Sequence, residues 1–434
     1  MPKNKKKGGH KGSDRLSRLG SQPPTDDEND AADNWSTASV LSDDVTSLPE
    51  SGGDADVVDE SSAQDDFEDK LKECIEGTSQ KSAQGRKICL EGIQKVFSKK
   101  YVVDFLADRK ETLSDCLARC VKKGKGEEQA LAANCISLLI IQLGQDADSI
   151  FADLQPSMLT IMADNSVSLK ARSKCATALA ICSFLACDDA EKIKEVMKSL
   201  EDIFKCSYQK GDKSIPSHSP EVSHLHSQAV SAWCLLLSIS PSYIVQELVN
   251  SHVGRMPDLL KNQDLELRIS AGEAIALMYE LGREEDEDFE GSNMKELIEL
   301  LKQLATDSHK YRAKKDRRQQ RSSFRDILRS IEEMESPEMN IKFGIENLYI
   351  DSWVRKKQYD AFCMVIGSGI YQHLQENVLL REVFGLGPPL PTGAKPANKL
   401  TKFERNMYNA AAFKARTKAR SKHRDKRAVT VNGF

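Results

Sequence analysis

This 434-residue sequence has no CxxC pair, few prolines between residues 67 and 307, and no alternation of apolar and polar residues across that span. Each absence removes a class of protein. The eleven cysteines include Cys116 and Cys120, four apart, and Cys182 and Cys187, five apart, which fits neither a zinc ribbon nor a disulfide framework. Cys89, Cys135, Cys175 and Cys234 fall at apolar helical positions, where a free thiol packs as a small hydrophobe. That usage predicts a reducing compartment, cytosol or nucleus. Apolar runs such as Leu138–Ile141 are far too short to cross a bilayer, and Met1-Pro2-Lys3 opens the chain without an apolar signal core. A soluble chain with no membrane partner is expected. Catalytic signatures are missing too: there is no P-loop, GxGxxG, HExxH or GxSxG. His224 and His226 lie two apart, on different faces of a helix, and the acids Glu284–Asp288 read as a solvated loop. The expectation is a non-enzyme with no cofactor, no metal and no small-molecule substrate.

What is present is uneven in charge. The chain sums to -4, yet its first eighteen residues hold seven Lys or Arg, and residues 26–69 hold sixteen Asp or Glu without a single base. Ser, Thr, Gly and Asp dominate there, so residues 1–65 are expected to form a disordered tail, basic and then acidic.

From residue 66 to 307 the pattern is helical and repeats. Cys89 and Gly92, Ala132 and Cys135, Cys175 and Ala178, Ala229 and Ala232, and Ala271 and Ala274 each form a small-x-x-small pair. Their first members are 43, 43, 54 and 42 residues apart, and the polar insertion Gly211–Pro220 accounts for the long interval. A period of roughly 40–47 residues is that of HEAT and armadillo units. Further apolar helices are expected before the pairs, over Ile150–Met162, Ile193–Phe204 and Val253–Leu260. The fold class is therefore all-α: a HEAT/armadillo-like α-solenoid, a small α-helical module and a basic C-terminal helix.

Residues 308–334 break the repeat. Lys310, Arg312, Lys314, Lys315, Arg317, Arg318 and Arg321 precede an apolar face of Phe324, Ile327, Leu328 and Ile331. One amphipathic helix is predicted, packed at its C-terminal half and projecting bases at its N-terminal half. Residues 341–386 are richer in aromatics (Phe343, Tyr349, Trp353, Tyr359, Phe362, Tyr371 and Phe384) and read as a small helical core. Residues 387–434 follow as a proline-rich spacer and an arm.

The arm is the most charged part of the chain. Lys414, Arg416, Lys418, Arg420, Lys422, Arg424, Lys426 and Arg427 face one acid, Asp425, for a formal charge of +7. Interleaved Ala, Thr and Ser keep the segment slim, and Ala415 and Ala419 favour helix. Phe403 and Tyr408 upstream read as anchors. A slim cationic helix suits a channel lined with phosphate, although such a block also serves as a nuclear-import signal or a solvated tail.

Several stretches together carry a family resemblance. Phe413–Lys422, Asp425-Lys426-Arg427, Phe324-Arg325, Gly367-Ser368-Gly369, Phe384–Pro388, Leu267–Glu273 and Ala305-Thr306-Asp307 resemble the interferon-related developmental regulator family, over about residues 65–427. Gly126–Ala133 and Tyr349–Trp353 lean towards the second vertebrate paralogue, the opening Met1–Lys6 towards the first. The resemblance implies nuclear transcriptional co-regulation in differentiating cells. It also implies binding to translationally idle ribosomes, with the solenoid among the tRNA sites and the C-terminal helix in the mRNA channel. The leading expectation is a non-catalytic ribosome-binding factor, cytoplasmic and nuclear, that represses translation by occupancy. Its arm would line rRNA phosphates, Lys310–Arg321 would make a second contact, and rRNA and ribosomal proteins would be its partners. The alternative is a nuclear scaffold whose groove takes transcriptional co-repressors; a third reading is a binder of free mRNA.

Overall fold

The computed structural model describes residues 60–291, 293–306 and 313–390. Lys310, Arg312, the arm Lys414–Arg427 and most of the 1–65 tail lie outside them. The tail's last residues depart from expectation, because α1 (Glu60–Gly77) begins inside it. Buried Leu71 and Ile75 anchor its second half.

After α1 come α2 (Ala83–Lys99), α3 (Val103–Leu106), α4 (Lys110–Lys123), α5 (Glu127–Leu143), α6 (Asp148–Ala163), α7 (Leu169–Ala186) and α8 (Ala190–Phe204). Then follow α9 (Pro220–Leu237), α10 (Ser242–His252), α11 (Leu265–Glu285), α12 (Met294–Thr306) and α13 (Lys314–Glu332). Many starts are written in the sequence. Ser82, Ser168, Asp189, Ser219 and Asp264 cap α2, α7, α8, α9 and α11 by accepting first-turn amides. Pro220 occupies the first turn of α9, where no amide is needed.

The helices α2, α5, α7, α9 and α11 stack side by side, each carrying one small-x-x-small pair. Ala132, Cys135, Cys175, Ala178, Ala229, Ala271 and Ala274 are wholly buried, as close helix approach requires. The helices α4, α6 and α8 pack on the row member that comes after each, and α12 packs on α13. The insertion Gly211–Ser219 is loop before α9. The helix expected at Val253–Leu260 lies earlier, as α10, and is followed by a 3-10 turn over Met256–Lys261. Pro257 explains the shift, since it has no amide to donate inside an α-helix. The fold is an all-α solenoid of helix pairs.

Its C-terminal part is more than a separate small core. It opens with a two-stranded antiparallel hairpin, β1 (Met339–Phe343) and β2 (Glu346–Ile350), where helix was expected. Ile341, Phe343, Leu348 and Ile350 point inward at period two, and Gly344 takes φ 51° at the first central position of the turn. Next come α14 (Trp353–Ile366), a 3-10 turn at Gly367–Gly369, α15 (Ile370–Glu376) and α16 (Val378–Phe384).

The helix α14 runs across the row as a strap, touching α2, α5, α7, α9 and α11. Phe362 meets Phe184 of α7 edge to face at 5.8 Å. Glu280 of α11 caps the start of α14, accepting from Trp353 N (2.8 Å) and Val354 N (2.9 Å). Beyond the turn, His373 Nε2 lies 2.9 Å from the Phe97 carbonyl of α2, and Asn377 Nδ2 donates to the Ile141 carbonyl of α5 at 3.0 Å. Arg381 ties the module together with all five of its N–H groups. They go to Glu346 Oε1 and Oε2 and to the carbonyls of Leu374, Gly387 and Pro388.

Candidate nucleic-acid interface

The helix α13 continues the row as a sixth member, parallel to α11 and fixed to it at three places. Near its start, Arg268 Nη2 donates to Gln320 Oε1 at 2.6 Å, while Arg268 Nη1 donates to the Asn262 and Gln263 carbonyls at 2.8 Å each. Gln320 Nε2 in turn donates to the Leu304 carbonyl of α12 at 3.3 Å. In the middle, Gly272 leaves room for Phe324 and Ile327, whose carbons would stand 2.9 and 2.8 Å from a β-carbon placed there. At the far end Arg283 Nη1 and Nη2 donate to the Ser330 and Ile331 carbonyls at 3.0 and 2.8 Å. Phe324, Ile327 and Ile331 are wholly buried, and Leu328 is half-buried.

The opposite face of α13 is basic. Lys314, Lys315 and Arg318 are exposed, Arg317 and Arg321 half-buried. At 3.6 residues per turn, Lys314, Arg318, Arg321, Arg325 and Arg329 fall on one stripe that runs about 22 Å along the helix. Arg325 and Arg329 are exposed and extend the basic site beyond the segment Lys310–Arg321 expected from the sequence. Their helical spacing from Lys314 is the signal that could have found them. One acid borders the stripe among the described residues: Asp326 Oδ1 lies 4.0 Å from Arg329 Nη1, a surface pair of little strength; Asp316, half-buried, lies on the other side of the helix. Ser322 is exposed on the stripe's flank between Arg318 and Arg325, whereas Ser323 is half-buried.

The remaining candidates are structurally occupied. His224 Nδ1 sits 3.0 Å from Glu266 Oε2, and that hydrogen bond raises its pKa. His226 Nδ1 lies 2.6 Å from Ser207 Oγ. Among the described residues no group of His, Cys, Asp or Glu could hold a metal ion. Burial pushes the Cys175 and Cys234 thiols up to about 12, so they act as packing groups rather than nucleophiles. No helix among the described residues is long and apolar enough to cross a membrane.

A stack of helix pairs crossed by α14 and edged by a basic stripe defines the class of the protein as an α-solenoid. The chain belongs to the interferon-related developmental regulator family. That family's profile matches residues 34–332, and the interferon-related protein conserved region matches residues 377–428. The human interferon-related developmental regulator 1 is 44% identical over 409 residues, covering 93% of this chain and 90% of its own. Mouse interferon-related developmental regulator 2 is 45% identical over 381 residues, covering 87% and 86%. The chain thus stands equally near both paralogues. Among solved structures, a designed armadillo repeat protein aligns with 59% of this chain and 99% of its own at 14% identity, with a TM-score of 0.38.

Proposed function

We propose that this member of a family of developmental regulators is a non-catalytic ribosome-binding factor that represses translation by occupying the tRNA sites and mRNA channel of idle ribosomes. The observation that carries this reading is the pairing of a strapped row with an open basic stripe. The strap α14 covers in cis the row that a scaffold would offer to peptide segments, while α13 turns its bases outward. Fixed bases of this kind suit phosphates, which position a protein without reading sequence. In this reading Lys314, Lys315, Arg317, Arg318, Arg321, Arg325 and Arg329 contact rRNA backbone from α13. Lys310, Arg312 and the arm Lys414–Arg427 add further phosphate contacts, and the arm excludes mRNA. The factor works in the cytoplasm and also enters the nucleus.

Sucrose-gradient sedimentation of lysate tests it, comparing the full chain with one truncated after Ala412. The expected result is that the full chain travels with 80S monosomes and not polysomes, and that truncation weakens the association and restores translation. If both forms stay at the top of the gradient, the ribosome reading is wrong. A nuclear scaffold for transcriptional co-repressors then takes its place.

A further inference from the structure

The N-terminal half of α13 is helical against its own chemistry. Its N-cap, Ala313, offers no side-chain acceptor, and the first two turns hold Lys314, Lys315, Arg317, Arg318 and Arg321. Positive charge at the start of a helix opposes the helix dipole, which favours anions there. The pairs Lys314–Arg318 and Arg317–Arg321 stand four apart, and Lys314–Arg317 and Arg318–Arg321 three apart, so each repels its neighbour across one turn. Asp316 in the first turn offsets part of this. The apolar anchors Phe324, Ile327 and Ile331 all lie further along and do not reach the first two turns.

Among the described residues, a buried contact does reach them. Gln320, 1% exposed, is held by Arg268, 2% exposed, and donates onward to Leu304 of α12. Arg268 is itself fixed by the Asn262 and Gln263 carbonyls before α11. Its planar fork thus spans the end of one helix pair and the middle of the basic segment, which a lysine could not do. Local rules broken at one place and compensated by a dedicated contact mark a functional segment.

We infer that Arg268, acting through Gln320, is a positioning residue for the basic stripe: it latches the self-repelling first half of α13 into helix so that its bases present in line to a polyanion. The inference rests on the phosphate-binding reading above. A bound polyanion would neutralise the repulsion and stabilise the same turns. Without the latch, only the fraction of molecules helical at that end is competent, and apparent affinity falls by that fraction.

The test is hydrogen exchange on the full chain carrying Gln320→Ala, with and without purified 80S ribosomes. In the free variant, amides of residues 317–321 should exchange about fivefold to tenfold faster, the scale of one missing buried hydrogen bond. Amides of α7 and α9 should be unchanged. Raising salt, which screens the repulsion, should restore much of the protection, a rescue that a purely packing role would not give. Affinity for 80S should fall about threefold to tenfold at low salt. Unchanged exchange, or faster exchange that salt does not rescue, overturns the latch. If α7 and α9 also exchange faster, the decision passes to Ala313→Ser in the wild-type chain, which supplies the missing cap. Slower exchange over 315–318 supports the inference, and no change sinks it. A wild-type chain that shows the latch in exchange but does not bind 80S removes the ribosome reading instead.

Discussion

Lys357 and Glu273 meet inside the protein, with Lys357 Nζ 2.6 Å from Glu273 Oε2 and Lys357 only 4% exposed. Lys356 reaches the other oxygen of the same carboxylate at 2.9 Å and Asp360 Oδ2 at 2.6 Å. Burial alone would raise the Glu273 pKa. The charges of Lys356 and Lys357, with their hydrogen bonds, outweigh it and hold the carboxylate ionised well below its ordinary range. Two cations and two anions thereby fasten the strap α14 to α11.

Removing one member should cost far more than removing a matched pair. Glu273→Ala leaves a buried ammonium without its carboxylate and is expected to destabilise by about 3–5 kcal/mol. Glu273→Met combined with Lys357→Leu keeps volume, removes both charges and should cost much less. Urea midpoints of the two variants decide the matter; equal losses would mean that the ion cluster is not what fastens the strap.

A second fastening lies at the turn after α14. A β-carbon on Gly369 would overlap the backbone carbonyl of Ser98 at the end of α2, an atom that cannot swing aside. Gly387 has nothing within 4 Å of its imagined β-carbon. Gly369→Ala should therefore lower stability by about 3 kcal/mol through overpacking, while Gly387→Ala should be close to neutral in the same thermal melt.

These two glycines show what the sequence disclosed and what it hid. The row α2, α5, α7, α9 and α11 was legible because each helix repeats a small pair at a near-constant interval. The break at residues 308–334 was legible because the bases of α13 sit where apolar residues are due. The hairpin is faint in the sequence although Ile341, Phe343, Leu348 and Ile350 alternate, since two strands of five residues among aromatic helices give a weak signal. The strap was hidden for another reason. Residues of α7 from Ala171 to Phe184 are buried on nearly every side, and a run of mostly small and apolar residues announces cover without naming what covers it. Neither Gly369 nor Gln320 carries any local mark of the distant residue it touches.

Acid should loosen the stack through a buried imidazole. His226 is 5% exposed, and burial, then the nearby charges of His218 and Arg172, bring it down to about 4 from an ordinary 6.5. The unfolded chain takes up this proton below about pH 6.5, whereas the folded chain does not until about pH 4. Stability carried by this group is therefore complete above pH 6.5 and lost as pH falls towards 4, by about 3 kcal/mol in all. Urea midpoints between pH 7 and pH 4 should fall less steeply in His226→Gln than in the wild type; parallel curves would exclude the imidazole as the source.

Charge on α13 should govern binding more than any apolar contact. Arg318→Glu with Arg325→Glu should weaken 80S binding and reduce the slope of log affinity against log salt by about two, one for each phosphate no longer neutralised. A slope that does not change would place the binding surface elsewhere.

The two serines beside that stripe should behave differently as phosphate mimics. Ser322→Asp, exposed between Arg318 and Arg325, should weaken 80S binding, and half-buried Ser323→Asp should affect it less at equal fold stability. Unchanged binding with both substitutions together would end the idea that modification here regulates the interface.

In an unstrapped solenoid each repeat answers only to its neighbours, so one end can fray while the other stays folded. Here one helix touches five members of the row, and His373 reaches Phe97 across 276 residues. Local fraying at any of those five repeats must release the strap, and releasing it weakens the other four. Denaturation should be correspondingly all-or-none, and folding slow, because the closing contacts are among the most distant in the chain. During synthesis the stack would emerge with one face of its row bare to water, completed only when residues 353–384 leave the tunnel and close over it.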